Sequence, residues 1–432
     1  TPSELNKLSQ RLVSGDNSAK FREAYNISYT DIYDFSAANN KKGLKKWEIE
    51  LGIHHQEMSI PWTAPCPKDM WNQVAEYCSN DVLATEEVFN HLQSDYEARL
   101  ILSELSGLTP NDKTNNHTIK ILVGDKKDPQ KDYIYTDLST IFPGYEFNEY
   151  GINKSRYKEG VKIVKAKSIY KGIDPGEGGR KIGYEGMYSN VGLFDVASMH
   201  PSSIRKLVIF GEEITTRFGN IVDGRLSLKH ILNPDGSVNM ENYNLVISLL
   251  GEDVRKFLPL DDISRLKKSS KSLANALKTA INSVYGLTAA SFDNKLRDPR
   301  NKDNIVAKYG ALFMINLEEE LTKRGYQVVH ISTDSIKVAN VNKEVADFIM
   351  EYGKSYGFTF EYEALYSKMC LVNDAVYIAR YYSADKCKKI LGFVPEDNAD
   401  ADREGHLWTA TGKQFAVPYV YKTLFSKEPY EF

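Results

Sequence analysis

The stretch His330-Ile331-Ser332-Thr333-Asp334-Ser335-Ile336 decides the reading of this chain. An apolar run (Val328, Val329, Ile331) enters a short polar turn, and a second apolar stretch (Ile336, Val338) leaves it. That alternation predicts a β-hairpin with a carboxylate at its tip. A second segment, Val191-Gly192-Leu193-Phe194-Asp195-Val196, likewise ends an apolar strand on an aspartate. Two strand-borne carboxylates suit divalent metal ions held between them, the arrangement that two-metal phosphoryl transfer requires. An isolated Asp in a turn is ordinarily a turn former, so the case rests on the surrounding residues.

At 432 residues the chain is long enough for two to four domains. It is 42% hydrophobic and 26% charged, as a soluble globular protein is. No run of about 18 apolar residues predicts a membrane span, and the Thr1-Pro2-Ser3-Glu4 start does not read as a signal peptide. A cytoplasmic location is expected, in the host cell if the source is a bacteriophage. Cys66, Cys78, Cys370 and Cys387 form no C-x-x-C pair and read as reduced thiols. The net charge is −3, yet from Arg255 to Lys302 eleven Lys and Arg face four acids, a local charge of +7. Such a segment suits an anionic ligand, and equally a solvated helix surface.

Residues 1–107 show helical apolar spacing, as in Trp71–Tyr77 and on through Val88, Phe89 and Leu92. Strands are expected at Ile119–Val123, Tyr133–Tyr135 and Val161–Val164, followed by a glycine-rich connection at Gly172–Gly179. A helix is expected after Pro201-Ser202, while 211–260 reads as mixed. Long helices are predicted over Ser264–Val284, capped by the serine, and over Ile305–Arg324, with a further one capped by Asn342. On the first of these, Lys267, Lys271, Lys278, Asn282 and Tyr285 fall on one face. Three ammonium groups suit a triphosphate, and the amide and phenol beyond them suit its sugar and base. A solvated lysine face with a packed Tyr is the plain alternative.

These residues carry a family resemblance. Asp195-Val-Ala-Ser198-Met199-His200-Pro201-Ser202-Ser203-Ile204 resembles the D-x-x-S-L-Y-P-S-I-I motif of family B DNA polymerases. Lys278-x-x-x-Asn282-Ser283-x-Tyr285-Gly286 matches their K-x-x-x-N-S-x-Y-G motif at every fixed position, and Ser332-Thr333-Asp334-Ser335 resembles their D-T-D-S hairpin. Glu177-Gly178-Gly179 followed by Met187-Tyr188 is similar to the family's Y-x-G-G segment. The motifs stand in the family's order across roughly 168–380. Tyr77-Cys78-Ser79-Asn80-Asp81 resembles the Y-x-x-x-D motif of DEDDy-type 3′–5′ exonucleases, without a D-x-E strand ahead of it; the nearest acids are Asp31 and Asp34.

The resemblance implies an α+β fold, a polymerase right hand with an antiparallel palm sheet, helical fingers and a partial thumb. A partial ribonuclease H-like exonuclease domain would precede it. The implied division is exonuclease remnant 1–110, β-rich connector 111–165, palm 166–210, fingers 211–300, palm 301–372 and thumb 373–432, cut short at the Lys427–Phe432 ending. Asp195 and Asp334 would be the catalytic, metal-binding carboxylates, with the Val196 carbonyl as a further ligand of two Mg²⁺ ions, or of Mn²⁺ in their place. Lys278, Asn282, Tyr285, His200, Met199, Ser198, Lys271 and Lys267 would bind the deoxynucleoside triphosphate. Lys295, Arg297, Arg300 and Lys302 would contact primer–template DNA; a processivity factor is not specified. Tyr77 and Asp81 would be exonuclease residues, in a chain that cannot proofread. The 87 positions between Asp195 and Asn282 leave little room for the insertion of protein-primed enzymes, so the compact bacteriophage type is implied. Two departures stand out: Ser332 replaces the hairpin's first aspartate, and His200 replaces the tyrosine that screens the sugar. A catalytically silent primer–template-binding scaffold is the alternative.

Overall fold

The computed structural model describes residues 2–14, 16, 32, 42–60, 66–152, 156–158, 161–163, 166–404 and 407–411. Asp31, Asp34, Val164 and the Lys427–Phe432 ending, all singled out in the sequence, lie outside them. The fold is α+β, with two compact units: residues 1–126 with 220–284, and residues 127–219 with 285–432.

The first unit is helical, with α1 Pro2–Val13, α2 Leu44–Leu51, α3 Trp71–His91, α4 Gln93–Ser106 and α5 Thr114–Val123. The strand expected over Ile119–Val123 is thus the second half of a helix. Three apolar residues in a row, Ile121 to Val123, fit either structure, and here Leu122 and Val123 are buried with His117 and Thr118 on a helical face. Tyr133–Tyr135 is not a strand either. Tyr133, already in the second unit, is buried and donates from its hydroxyl to the Lys295 carbonyl, so its apolar run packs an irregular segment within that unit.

The second unit begins with the short strands β1 Glu146–Phe147, β2 Arg156–Lys158, β3 Val161–Ile163, β4 Ser168–Ile169 and β5 Lys181–Gly183. Then follow β6 Gly186–Val196 and α6 Met199–Leu207, a helix that starts before Pro201 rather than after it. Residues 220–284 belong again to the first unit; the stretch 211–260 is helical, as α7 Gly211–Lys229 and α8 Met240–Leu250. The long helix α9, Ile263–Thr288, is capped by Asp262 instead of Ser264: the Asp262 carboxylate accepts from the Arg265 N–H at 3.0 Å. An aspartate at that place also favours the positive end of the helix dipole. Its buried side is Leu266, Leu273, Ala276, Leu277, Ala280 and Val284. α10 spans Ile305–Lys323, close to the expected bounds. β7 Gln327–Ser332 and β8 Ser335–Ala339 form the expected hairpin. α11, Lys343–Ser355, is capped by Asn342, whose side chain accepts from the Val345 N–H. β9 Phe360–Asn373, β10 Val376–Tyr381, α12 Ala384–Leu391, α13 Glu396–Glu404 and β11 Trp408–Thr411 complete the described chain.

Seven strands make one antiparallel sheet in the order β11-β10-β9-β6-β8-β7-β5. One face rests on helices: Phe360 meets Phe313 of α10 at a 6.0 Å ring separation, and Phe358 meets it at 4.7 Å. Across the other face Val191, Leu193, Ala364, Tyr366 and Met369 form an apolar cluster. Asp195 shares that second face with Val191 and Leu193, because alternate strand residues point the same way. β9 carries a bulge where it meets β6. Leu193 pairs with Ala364 but Phe194 pairs with Tyr362, so Glu363 has no partner across the ladder.

Candidate active site

Asp195 is the penultimate residue of β6, the central strand, and lies opposite Ser335 of β8 and Glu361 of β9. Asp334 occupies the two-residue turn between β7 and β8. The Val196 N–H donates to the Asp334 carbonyl at 2.9 Å, which ties the hairpin tip to the end of β6. The tip is also held from its other side, by the Thr333 N–H donating to the Arg180 carbonyl at 2.8 Å.

That turn is strained. Thr333 has φ +59°, a left-handed conformation that a β-branched residue rarely adopts. The glycine-rich connection presses on it. A Cβ at Gly179, where φ is +137°, would come within 2.8 Å of the Thr333 methyl group. Lys308 of α10, itself buried, donates to the Gly176 carbonyl and holds the same loop from beneath. The glycines therefore permit close approach to the hairpin tip, as their composition suggested.

Four acids converge here. Burial drives the Asp195 carboxyl up to about 7, and the charges of Asp334, Glu363 and Glu361 add to that. Glu363 is raised as well, first by burial and then by neighbouring acids. A half-buried carboxylate surrounded by like charge is an environment that a divalent cation relieves. Asp195 and Asp334 supply hard oxygen donors of the kind Mg²⁺ takes. Among the described residues no three His, Cys, Asp or Glu side chains are already gathered as a complete ligand set. Ser332 pairs with Ser335 at the base of the turn, leaving Asp334 as the hairpin's acid.

His200 sits in the first turn of α6, which follows Ser198 in a left-handed conformation at φ +60°. Its ring lies flat on Tyr285, with centroids 3.8 Å apart and planes 6° from parallel. Burial lowers its pKa, so the ring is neutral, while Asp334 pulls the other way. The Tyr285 hydroxyl accepts from the Asn304 amide at 3.2 Å, and the Asn304 side-chain oxygen is buried without a partner. Ser198 is exposed; Met199 is buried, its sulfur filling the space a Cβ on Gly310 of α10 would take.

Lys267, Lys271, Lys278 and Asn282 of α9 belong to the first unit, and Tyr285 to the second. All four are exposed, opposite the buried apolar side of the helix. The three lysines make no salt bridge to a described acid, whereas Lys268, off this stripe, pairs with Glu97 at 2.9 Å. Of the other predicted cations, Arg297 pairs with Asp293 at 2.8 Å and Lys302 with Glu149 at 2.8 Å. Arg300 grips Asp298 and donates to the Tyr133 carbonyl at 2.8 Å, a structural clasp. Lys295 gives its carbonyl to Tyr133.

In the first unit, Tyr77 and Asp81 lie one turn apart on α3. Lys45 of α2 reaches both: its ammonium is 2.5 Å from the Asp81 carboxylate and 4.3 Å from the centre of the Tyr77 ring. It also bridges to the fully buried Glu48 at 2.9 Å, which accepts His55 on its other oxygen. Sequence reading missed Glu48, Lys45, Glu361, Glu363, Lys337 and Asn304. An alternating Glu361-x-Glu363 inside an otherwise apolar strand was the available signal for two of them.

No family model matches the chain, and no curated protein does. Among solved structures it is similar to the family B DNA polymerase from the hyperthermophilic archaeon Pyrobaculum calidifontis, at 14% identity and a TM-score of 0.39. The match covers 82% of this chain and 44% of that polymerase, so this chain spans less than half its length.

Proposed function

We propose that the chain is a DNA polymerase of the family B type that extends a primer 3′ end by template-directed addition of deoxynucleotides. The observation that carries the reading is the backbone hydrogen bond from Val196 to Asp334, which brings the two motif aspartates together at one end of adjacent interior strands. Asp195, Asp334 and the Val196 carbonyl would hold the divalent ions. Such ions lower the pKa of a 3′-hydroxyl and stabilise the pyrophosphate leaving group.

The remaining work falls to the chain's own groups. The exposed ammonium groups of Lys267, Lys271 and Lys278 offer point charges for a triphosphate. Tyr285 presents an aromatic edge for the base pair, and its hydroxyl is fixed by Asn304. His200, stacked on that ring, would screen the sugar. The motif order and the compact spacing support the bacteriophage type, with 211–300 acting as fingers and residues from 373 as a thumb.

Primer extension with Mg²⁺ and a complementary template tests the reading. Asp195→Ala should cut extension by about a thousandfold or more, since several kcal/mol of transition-state stabilisation would go. Primer–template binding, read by mobility shift, should persist. A wild-type chain that binds the duplex but never extends it would leave the silent scaffold, which Ser332 and the incomplete exonuclease motif favour.

A further inference from the structure

One buried cation on the carboxylate-bearing face has no role so far. Lys337 of β8 is 3% exposed and pairs with Leu193, one step along the ladder from Asp195 opposite Ser335. Lys337 and Asp195 therefore share a face as diagonal neighbours, within reach of a long side chain. From behind, the ammonium is pinned by His330, whose Nδ1 lies 3.1 Å away, and by the Tyr377 ring, centred at 4.8 Å.

The partners fix the chemistry. His330 Nε2 is 2.9 Å from the Asp374 carbonyl, which can only accept, so Nε2 carries the ring proton. Nδ1 is then free to accept from the ammonium. Burial first, and Lys337 second, push His330 down to about 4, so the ring stays neutral and leaves the lysine's charge uncompensated. A buried charge without compensation is costly. Compensation comes from the other side: Glu363 and Asp195 hold Lys337 up against burial, which brings it to about 8. Reciprocally, Lys337 is the cation that opposes the rise of Asp195. No described carboxylate forms a salt bridge with it, so it acts through space and occupies no ligand position.

We propose that Lys337 is a positioning residue, a resident counter-ion held by His330 and Tyr377, that partly neutralises the four-acid cluster and limits how strongly that cluster draws in divalent cations. The proposal rests on the polymerase reading only in treating Asp195 and Asp334 as cation ligands.

The test uses the DNA-free protein. Mn²⁺ binding, followed by electron paramagnetic resonance, should be roughly tenfold tighter in Lys337→Met than in the wild type, because one unit of repulsion is gone. Lys337→Arg should stay near wild type. In EDTA, Lys337→Met should lower Tm, and the loss should shrink when Asp195 is also changed to Asn. Unchanged or weaker Mn²⁺ binding overturns the proposal. An equal Tm loss in both backgrounds also overturns it, and leaves only packing. Should Lys337→Met not fold, Lys337→Gln makes the same comparison. A wild type that binds no Mn²⁺ would remove the metal-site reading, while the EDTA cycle would still decide on the counter-ion.

Discussion

Asp195 should give the protein a measurable pH signature. Its folded pKa, about 7, lies above the ordinary carboxylate value of 3.8. Between those values the folded state keeps a proton that the unfolded chain has released. The associated stability is therefore full below about pH 4 and is lost as pH rises through 7. In EDTA, Asp195→Asn should melt close to wild type at pH 4 and above it at pH 8; an equal offset at both would refute the assignment. His200 bears on selectivity instead. Imidazole is smaller than phenol, so His200→Tyr should raise the preference for deoxy- over ribonucleotides in single-nucleotide extension, by roughly tenfold for each 1.4 kcal/mol of added steric cost. Both aspartates were legible in the sequence because a strand-end carboxylate is a local pattern. Lys337 and His330 were not, since only the β6–β8 and β7–β8 registers together reveal that they share the face of Asp195.

At the level of elements, the hairpin tip and the glycine loop are one device. Thr333 keeps its left-handed turn while Gly179 lies against its methyl group. Gly179→Ala would put a Cβ at 2.8 Å from that methyl, in a backbone conformation alanine resists. It should cost about 1–3 kcal/mol by chemical denaturation and depress primer extension further than stability alone explains. Helices α10 and α11 were predicted nearly to their ends, because periodicity and caps agreed. The run Ile119–Val123 was misread because a short apolar stretch carries no period; the helix is set by burial of Leu122 and Val123 beside His117. The cap of α9 went to Asp262 rather than Ser264 because both residues can cap and a carboxylate is also favoured by the helix dipole.

At the scale of the whole molecule, an acidic cluster holding a lysine occurs in each unit among the described residues. In the first unit Lys45 bonds directly to Asp81 and Glu48, taking the place a cation would need there. The purified chain should accordingly show no Mg²⁺-dependent loss of nucleotides from a labelled primer 3′ end; detectable shortening would overturn this. Among the described residues no helix is long and apolar enough to cross a membrane. The α+β class could be read from the chain, whereas the bounds of the two units could not, because each gathers segments distant in sequence. The bulge in β9 has a consequence for how this sheet tolerates changes in chain length. Against β6, Glu363 is inserted without a cross-strand partner between Tyr362 and Ala364. Deleting it would close the ladder and leave Glu361 opposite Asp195 and Tyr362 against Phe194. Losing any paired residue in the middle of β9 would instead turn over one end of the strand, exposing apolar side chains and burying acids. Deletion of one residue is thus survivable at position 363, within reach of the carboxylates, and ruinous at a paired position of the same strand.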